Sequence, residues 1–124
     1  MHAYLVVFVG AGLGGALRHG VNVAALRVLD STFPYGTLFV NVVGSLAMGL
    51  FVGFFAAKTD PGQMWRLFLT TGILGGFTTF SAFSFDAVVL YERGDVAWCL
   101  LYVLASLGAS VAALFAGLMV MRSL

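Results

Sequence analysis

A small set of neutral polar side chains stands inside long apolar stretches. Asn41 and Ser45 lie four residues apart, and Gly49 and Gly53 continue that spacing. Tyr102, Ser106 and Ser110 repeat it later in the chain. Between the two runs the order is Thr70-Thr71, then Thr78-Thr79-Phe80-Ser81-Ala82-Phe83-Ser84. Residues four apart share one face of a helix, so the spacing predicts two polar stripes and one hydroxyl-rich segment. Amides and hydroxyls donate hydrogen bonds without carrying charge, which is the chemistry needed to solvate an anion in an apolar surrounding. Phe77, Phe80 and Phe83 are three apart in the same segment, near one helix face. Aromatic rings have positive edges that can meet an anion while the rings exclude water. Each group also has a plainer role: membrane Ser and Thr bond their own helix, membrane Asn joins helices, and Phe fills space. Three polar segments on three helices set an anion path beside that plainer reading.

Other chemistries are poorly supplied. His2 and His19 are terminal or near a helix end, so no Ser/His/Asp grouping forms. No Cys/His/Asp cluster has metal-ligand spacing, and no glycine loop followed by Lys is present to cradle a phosphate. Catalysis is not expected. Proton-coupled transport needs embedded carboxylates or His, and Asp86 is the one candidate within a span. A carboxylate at the interface, or paired with an Arg, explains Asp86 equally well. Conduction without proton coupling fits better.

The elements that must position these groups follow from composition. The chain has 124 residues, six Lys or Arg and five Asp or Glu, and is 9% charged and 61% hydrophobic. Ordinary soluble domains are about 25% charged. So little polar material cannot cover a soluble surface, and disorder needs the opposite composition. An integral membrane protein remains. Stretches 3–17, 31–57, 67–85 and 96–121 carry no charge, and a spanning helix needs about 20 mainly apolar residues. Four transmembrane helices are expected in one domain, over about 3–29, 36–57, 64–91 and 96–121. The N-terminus lacks a basic region, so the first helix is expected to stay rather than be cleaved. Gly10 to Gly14 makes a GxxxG spacing for close helix approach. Adjacent Gly75 and Gly76 followed by hydroxyls predict a break in the third helix near Gly75 to Thr79. Such backbone survives at membrane depth only where protein or a cavity satisfies it, and it often holds ions.

The net charge of +1 offers no patch for nucleic acid, and the single Cys99 excludes an intrachain disulfide. Four helices put both termini on one side with Lys58, Arg66 and Arg122. Arg27, Arg93 and Arg18 fall on the other. Orientation follows an excess of Lys and Arg, and here there is almost none. The balance points to dual topology, with copies inserted both ways. One fixed orientation set by Arg18 within the membrane, or by the insertion machinery, is the alternative. Four short helices enclose too little volume for an aqueous path, whereas an antiparallel C2 dimer supplies eight.

Gly36-Thr-Leu-Phe-Val-Asn41-Val-Val-Gly44 resembles the second-helix signature of the Fluc/CrcB fluoride channels, and Gly75-Gly-Phe-Thr-Thr-Phe-Ser-Ala-Phe-Ser84 resembles their third-helix signature. Gly14-Gly-Ala-Leu-Arg18 is similar to their first-helix pattern. The resemblance spans nearly the whole chain. It implies an antiparallel, dual-topology homodimer with two pores in the cell membrane, passively exporting fluoride. Fluoride enters cells as neutral HF and is trapped as the anion, so a leak for the anion lowers its toxicity. The resemblance makes Asn41 the pore amide and Phe80 and Phe83 an aromatic box. Ser81, Ser106 and Ser110 extend a polar track, and Thr79 and Tyr102 are expected on the same pathway. Gly75 and Thr78 would give backbone carbonyls to a structural sodium ion at the dimer centre, and Arg18 would sit at a vestibule. Many members read Phe-Ser-Thr-Phe where this chain has Ala82, which removes one hydroxyl from the track unless Thr79 or Ser84 replaces it.

Two other functions compete. A small dual-topology multidrug or cation exporter shares the size and charge balance, but relies on an embedded Glu in its first helix. This chain has no carboxylate before Asp30. A non-conducting assembly subunit would suit the glycine spacings but leaves Asn41 and the broken helix unexplained.

Overall fold

The computed structural model describes residues 2–29, 32–58 and 60–124, and every regular element among them is helical. Helix α1 is His2–Val28 and α2 is Tyr35–Ala57. The third span is composite: α3 (Gln63–Arg66), a π-helical segment (Leu67–Leu74), α4 (Gly75–Phe77) and α5 (Phe80–Glu92). The last helix, α6, is Val96–Ser123. Four stretches are long and apolar enough to cross a membrane: His2–Val28, Tyr35–Ala57, Gln63–Glu92 and Val96–Ser123.

The glycines are used for contact. Gly10 lies against the Gly72 backbone, where an added Cβ would sit 2.9 Å from its Cα. At Gly14 a Cβ would overlap the Ile73 carbonyl, and at Gly76 the Ala11 carbonyl. A π-helix is wider than an α-helix, and π segments recur at functional sites; α1 meets this one with bare backbone. No residue pattern in Leu67–Leu74 marks the π segment in the sequence. Gly75 and Gly76 are helical and do not break the span. The break lies at Thr78 (φ −87°, ψ 161°) and Thr79 (φ −154°, ψ 123°), both extended.

Helices α2 and α6 run parallel in one constant register. Thr37 lies beside the Tyr102 hydroxyl, Gly49 packs on the Leu114 carbonyl, and Gly53 lies beside Leu118. The stripe Asn41, Ser45, Gly49, Gly53 therefore faces the stripe Ser106, Ser110, Leu114, Leu118. The α5 helix docks on α6 through Phe83, Leu90 and the fully buried Tyr102. The buried apolar core is small, namely Val40, Leu74, Phe83, Leu90 and Tyr102 among the described residues. Large apolar side chains such as Phe8, Leu104 and Phe115 stay exposed, as befits a surface solvated by lipid.

The connections are tight. Arg93 donates to the Thr32 carbonyl at 2.6 Å and pairs with Asp95 at 3.5 Å, tying two loops at one end of the bundle. At the other end Asp60 accepts from the Gly62 amide at 2.9 Å and pairs with Arg66. These partners, the amide first, hold the Asp60 carboxyl below the usual carboxylate range.

Candidate anion pathway

Thr78 and Thr79 interrupt the third span, and the bonds lost there are the basis of the site. In a continuous helix the Thr79 amide would bond the Gly75 carbonyl. It bonds the Asn41 side-chain oxygen instead, at 2.8 Å, while the Asn41 amide nitrogen donates to the Thr79 carbonyl at 3.0 Å. Asn41 thus pairs with both backbone groups of Thr79, as a neighbouring strand would. The Ala82 amide, the helical partner of the Thr78 carbonyl, bonds the Thr79 hydroxyl at 3.1 Å, so Thr79 is the N-cap of α5. The Gly76 carbonyl accepts from Arg18 Nε at 3.1 Å. Gly75 and Thr78 are left with carbonyls whose helical partners are engaged elsewhere.

Beside the break lies a cleft of about 320 Å3, lined by Asn41, Ser45, Thr78, Thr79, Phe80, Phe83, Ser106 and Ser110 among its polar and aromatic residues. Leu107, Val111 and Leu114 supply apolar wall from α6. Ser106 Oγ and Ser110 Oγ are buried and have no hydrogen-bond partner. Buried hydroxyls are normally paired, and leaving one unmade costs about 1–3 kcal/mol. Ser106 and Ser110 thus bring two hydroxyls to one cleft without spending them on other protein groups. Asn41 has a second amide proton beyond the one given to Thr79, and Asn41 lines the same cleft.

Phe80 and Phe83 have ring centroids 5.4 Å apart, tilted by 51°. They differ in burial: Phe83 is 7% exposed and Phe80 is 73% exposed. Phe83 leans on the Tyr102 ring at 5.3 Å. Tyr102 lies behind Phe83 rather than on the cleft wall, and its hydroxyl donates to Asp86 at 3.2 Å. Asp86 belongs to a separate cavity of about 290 Å3, with Asn22, Thr37, Ala82 and Arg93 on its wall.

The structure therefore divides the residues expected from sequence. Asn41, Thr79, Phe80, Phe83, Ser106, Ser110 and the Thr78 end of the break meet at one cleft. Ser81 is on the exposed side of α5, 3.3 Å from the Thr79 hydroxyl. Tyr102 supports Phe83 from behind. Gly75 lies outside the cleft on an exposed face. Arg18 reaches the middle of the third span, so it is not a loop charge and does not count in orientation. Ser45 joins the cleft wall as well; the Asn41 stripe puts it on the right face of α2, but its place on the wall depends on which stripe of α6 that face meets.

Residues 5–118 match the family model described as CrcB-like protein, Camphor Resistance (CrcB). The chain is 63% identical over 118 residues to a protein of Methylobacterium nodulans named fluoride-specific ion channel FluC, covering 95% of this chain and 94% of that one. Proteins of the same name from Rhodopseudomonas palustris and Granulibacter bethesdensis are 56% and 55% identical, with 98% and 100% of this chain covered and 98% of each relative. With four membrane-spanning helices, a broken third span and full-length similarity of this degree, the chain belongs to the CrcB-like family.

Proposed function

We infer that this protein is a fluoride-specific ion channel of the cell membrane, passing fluoride out of the cytoplasm passively and so lowering its toxicity. The relatives' printed names carry the ion identity. The observation in this chain that carries the mechanism is the pair of buried, unpartnered hydroxyls of Ser106 and Ser110 in a cleft walled by phenylalanine. Fluoride is small and strongly hydrated. A pore must replace its water with donors yet hold it weakly enough for release. Ser106, Ser110 and the second Asn41 proton are neutral donors, and the edges of Phe80 and Phe83 add weak positive contacts. No Lys or Arg lines the cleft to trap the ion. An embedded carboxylate that would drive exchange is likewise absent from its lining, which disfavours the multidrug or cation exporter. Nothing in this mechanism calls for catalysis.

The functional unit we propose is an antiparallel, dual-topology homodimer. Phe80 stands largely exposed at the open side of the cleft, close to the break, and a second copy would close that side. Sodium is proposed at the junction. The freed carbonyls of Gly75 and Thr78 are hard oxygen donors of the kind such cations take, and no group of His, Cys, Asp or Glu suited to other metals occurs among the described residues. Bound there, sodium would supply positive field and hold the two breaks together.

Purified protein in liposomes should release fluoride down its gradient with little chloride loss. Equal release of both ions would overturn the selectivity, and no release of either would favour a non-conducting subunit.

A further inference from the structure

We propose that Ser45 is a pathway residue that donates to the permeating anion together with Ser110, forming the last polar rung of the cleft. This rests on the channel reading above. Four observations carry it.

The first is register. Gly49 abuts Leu114, Gly53 lies beside Leu118, and Thr37 is next to Tyr102. The same register sets Ser45 opposite Ser110, and both line the one cleft. The second is what membrane hydroxyls do elsewhere in this chain. Thr70 bonds the Arg66 carbonyl, Thr78 the Leu74 carbonyl and Ser84 the Phe80 carbonyl, at 2.6, 2.9 and 3.0 Å. Each spends its proton on its own helix four residues back, the usual outcome. Ser45 has the Asn41 carbonyl at that spacing and does not bond it. The third is its partner: Ser110 Oγ is buried and unpartnered. Both protons at this rung are therefore available.

The fourth is what comes next. At the following rung Gly49 meets the Leu114 backbone, and Gly117 lies so close that a Cβ there would sit 2.6 Å from the Leu46 carbonyl. The groove between α2 and α6 closes, and no donor follows. An anion at the Ser45–Ser110 rung has left Asn41 behind and has apolar wall on its far side. Two hydroxyls from facing helices there replace hydration just where it is otherwise lost.

The test is fluoride efflux from liposomes carrying wild type, Ser45→Ala, Ser45→Thr, Ser110→Ala and the double alanine variant, each checked for wild-type elution in detergent. Ser45→Ala should conduct about tenfold more slowly, the scale of one hydrogen bond to a charged group. Ser45→Thr, which keeps the hydroxyl, should stay within about twofold of wild type. The double variant should lose less than the product of the single losses, because the two groups serve one ion position. Thr70→Val, whose hydroxyl is spent on its own helix, should be unchanged. If Ser45→Ala fails to assemble, Ser45→Cys replaces it and, with only a weak S–H donor, should conduct more slowly than wild type and than Ser45→Thr. Wild type that releases no fluoride overturns the channel reading itself. Wild type that conducts while Ser45→Ala matches it within twofold overturns this inference alone. So does a Ser45→Thr variant as slow as Ala, an equal loss in Thr70→Val, or strictly multiplicative losses.

Discussion

Asn41 shows how one side chain serves structure and conduction together. Its carboxamide has the donor and acceptor of a peptide group, so it can pair with both exposed backbone groups of Thr79 and still keep a proton for the cleft. Asn41→Ala removes both bonds and leaves two backbone groups unpaired at membrane depth. We expect a loss of about 2–4 kcal/mol in stability, read as a lower thermal midpoint in detergent, along with slowed fluoride flux. A neutral Asn41→Asp keeps one acceptor and one O–H donor, enough for both Thr79 bonds but with no further proton for the cleft. It should therefore be less destabilised than the alanine variant yet conduct poorly. At the surface, Asp60 makes a pH prediction. Its folded pKa lies below the unfolded value of 3.8, so the stabilisation it contributes is present above that value and is lost as pH falls through the lower folded one. Asp60→Asn should therefore lower the thermal midpoint slightly at pH 7, with the gap closing only below about pH 3.8. That Asn41 would matter was legible from its type and place in an apolar run. Its partner was not, because Thr79 is distant in sequence and exposes its backbone only once the helix has broken.

At the scale of elements, the glycines of α1 divide sharply. Gly10 and Gly14 face backbone of the π segment, whereas a Cβ at Gly12 or Gly15 meets nothing within 4 Å. Gly14→Ala should force the helices apart and cost about 1–3 kcal/mol. Gly12→Ala or Gly15→Ala should be neutral or stabilise by about 0.5–1 kcal/mol, since Gly is a poor helix former. Thermal unfolding of the three variants in one detergent checks this; similar losses in all three would contradict the contact geometry. The GxxxG spacing picked out the right pair, because close approach needs small residues one turn apart. What it could not reveal was the surface approached, a π-helix. Arg18 belongs to this scale too. Its guanidinium caps the carbonyl of Gly76 at the end of α4, so Arg18→Leu should loosen the break and lower both stability and flux, while Arg18→Lys, with a single less directed donor group, should restore only part of either.

At the scale of the whole molecule, the proposed antiparallel pair makes two demands. The protein should elute from size exclusion in detergent with twice the chain mass. A C-terminal tag should be cut by membrane-impermeant protease in about half of the copies in sealed vesicles, as balanced loop charge favours. Complete cutting or complete protection would refute dual insertion. With Arg18 drawn into the bundle, the loop and end charges are Lys58, Arg66 and Arg122 against Arg27 and Arg93, so the balance holds to within one charge. The sequence by itself determined the membrane class, the four spans and the polar stripes, because transfer into lipid acts on each residue in its own helix. Only the tertiary structure decided that the α2 and α6 stripes face each other, which hydroxyls bond their own helix and which are left free, and that, within the expected segment Gly75 to Thr79, the break falls at the two threonines. Those outcomes depend on backbone packing between distant segments, and no local pattern of residues encodes which segment a helix face will meet.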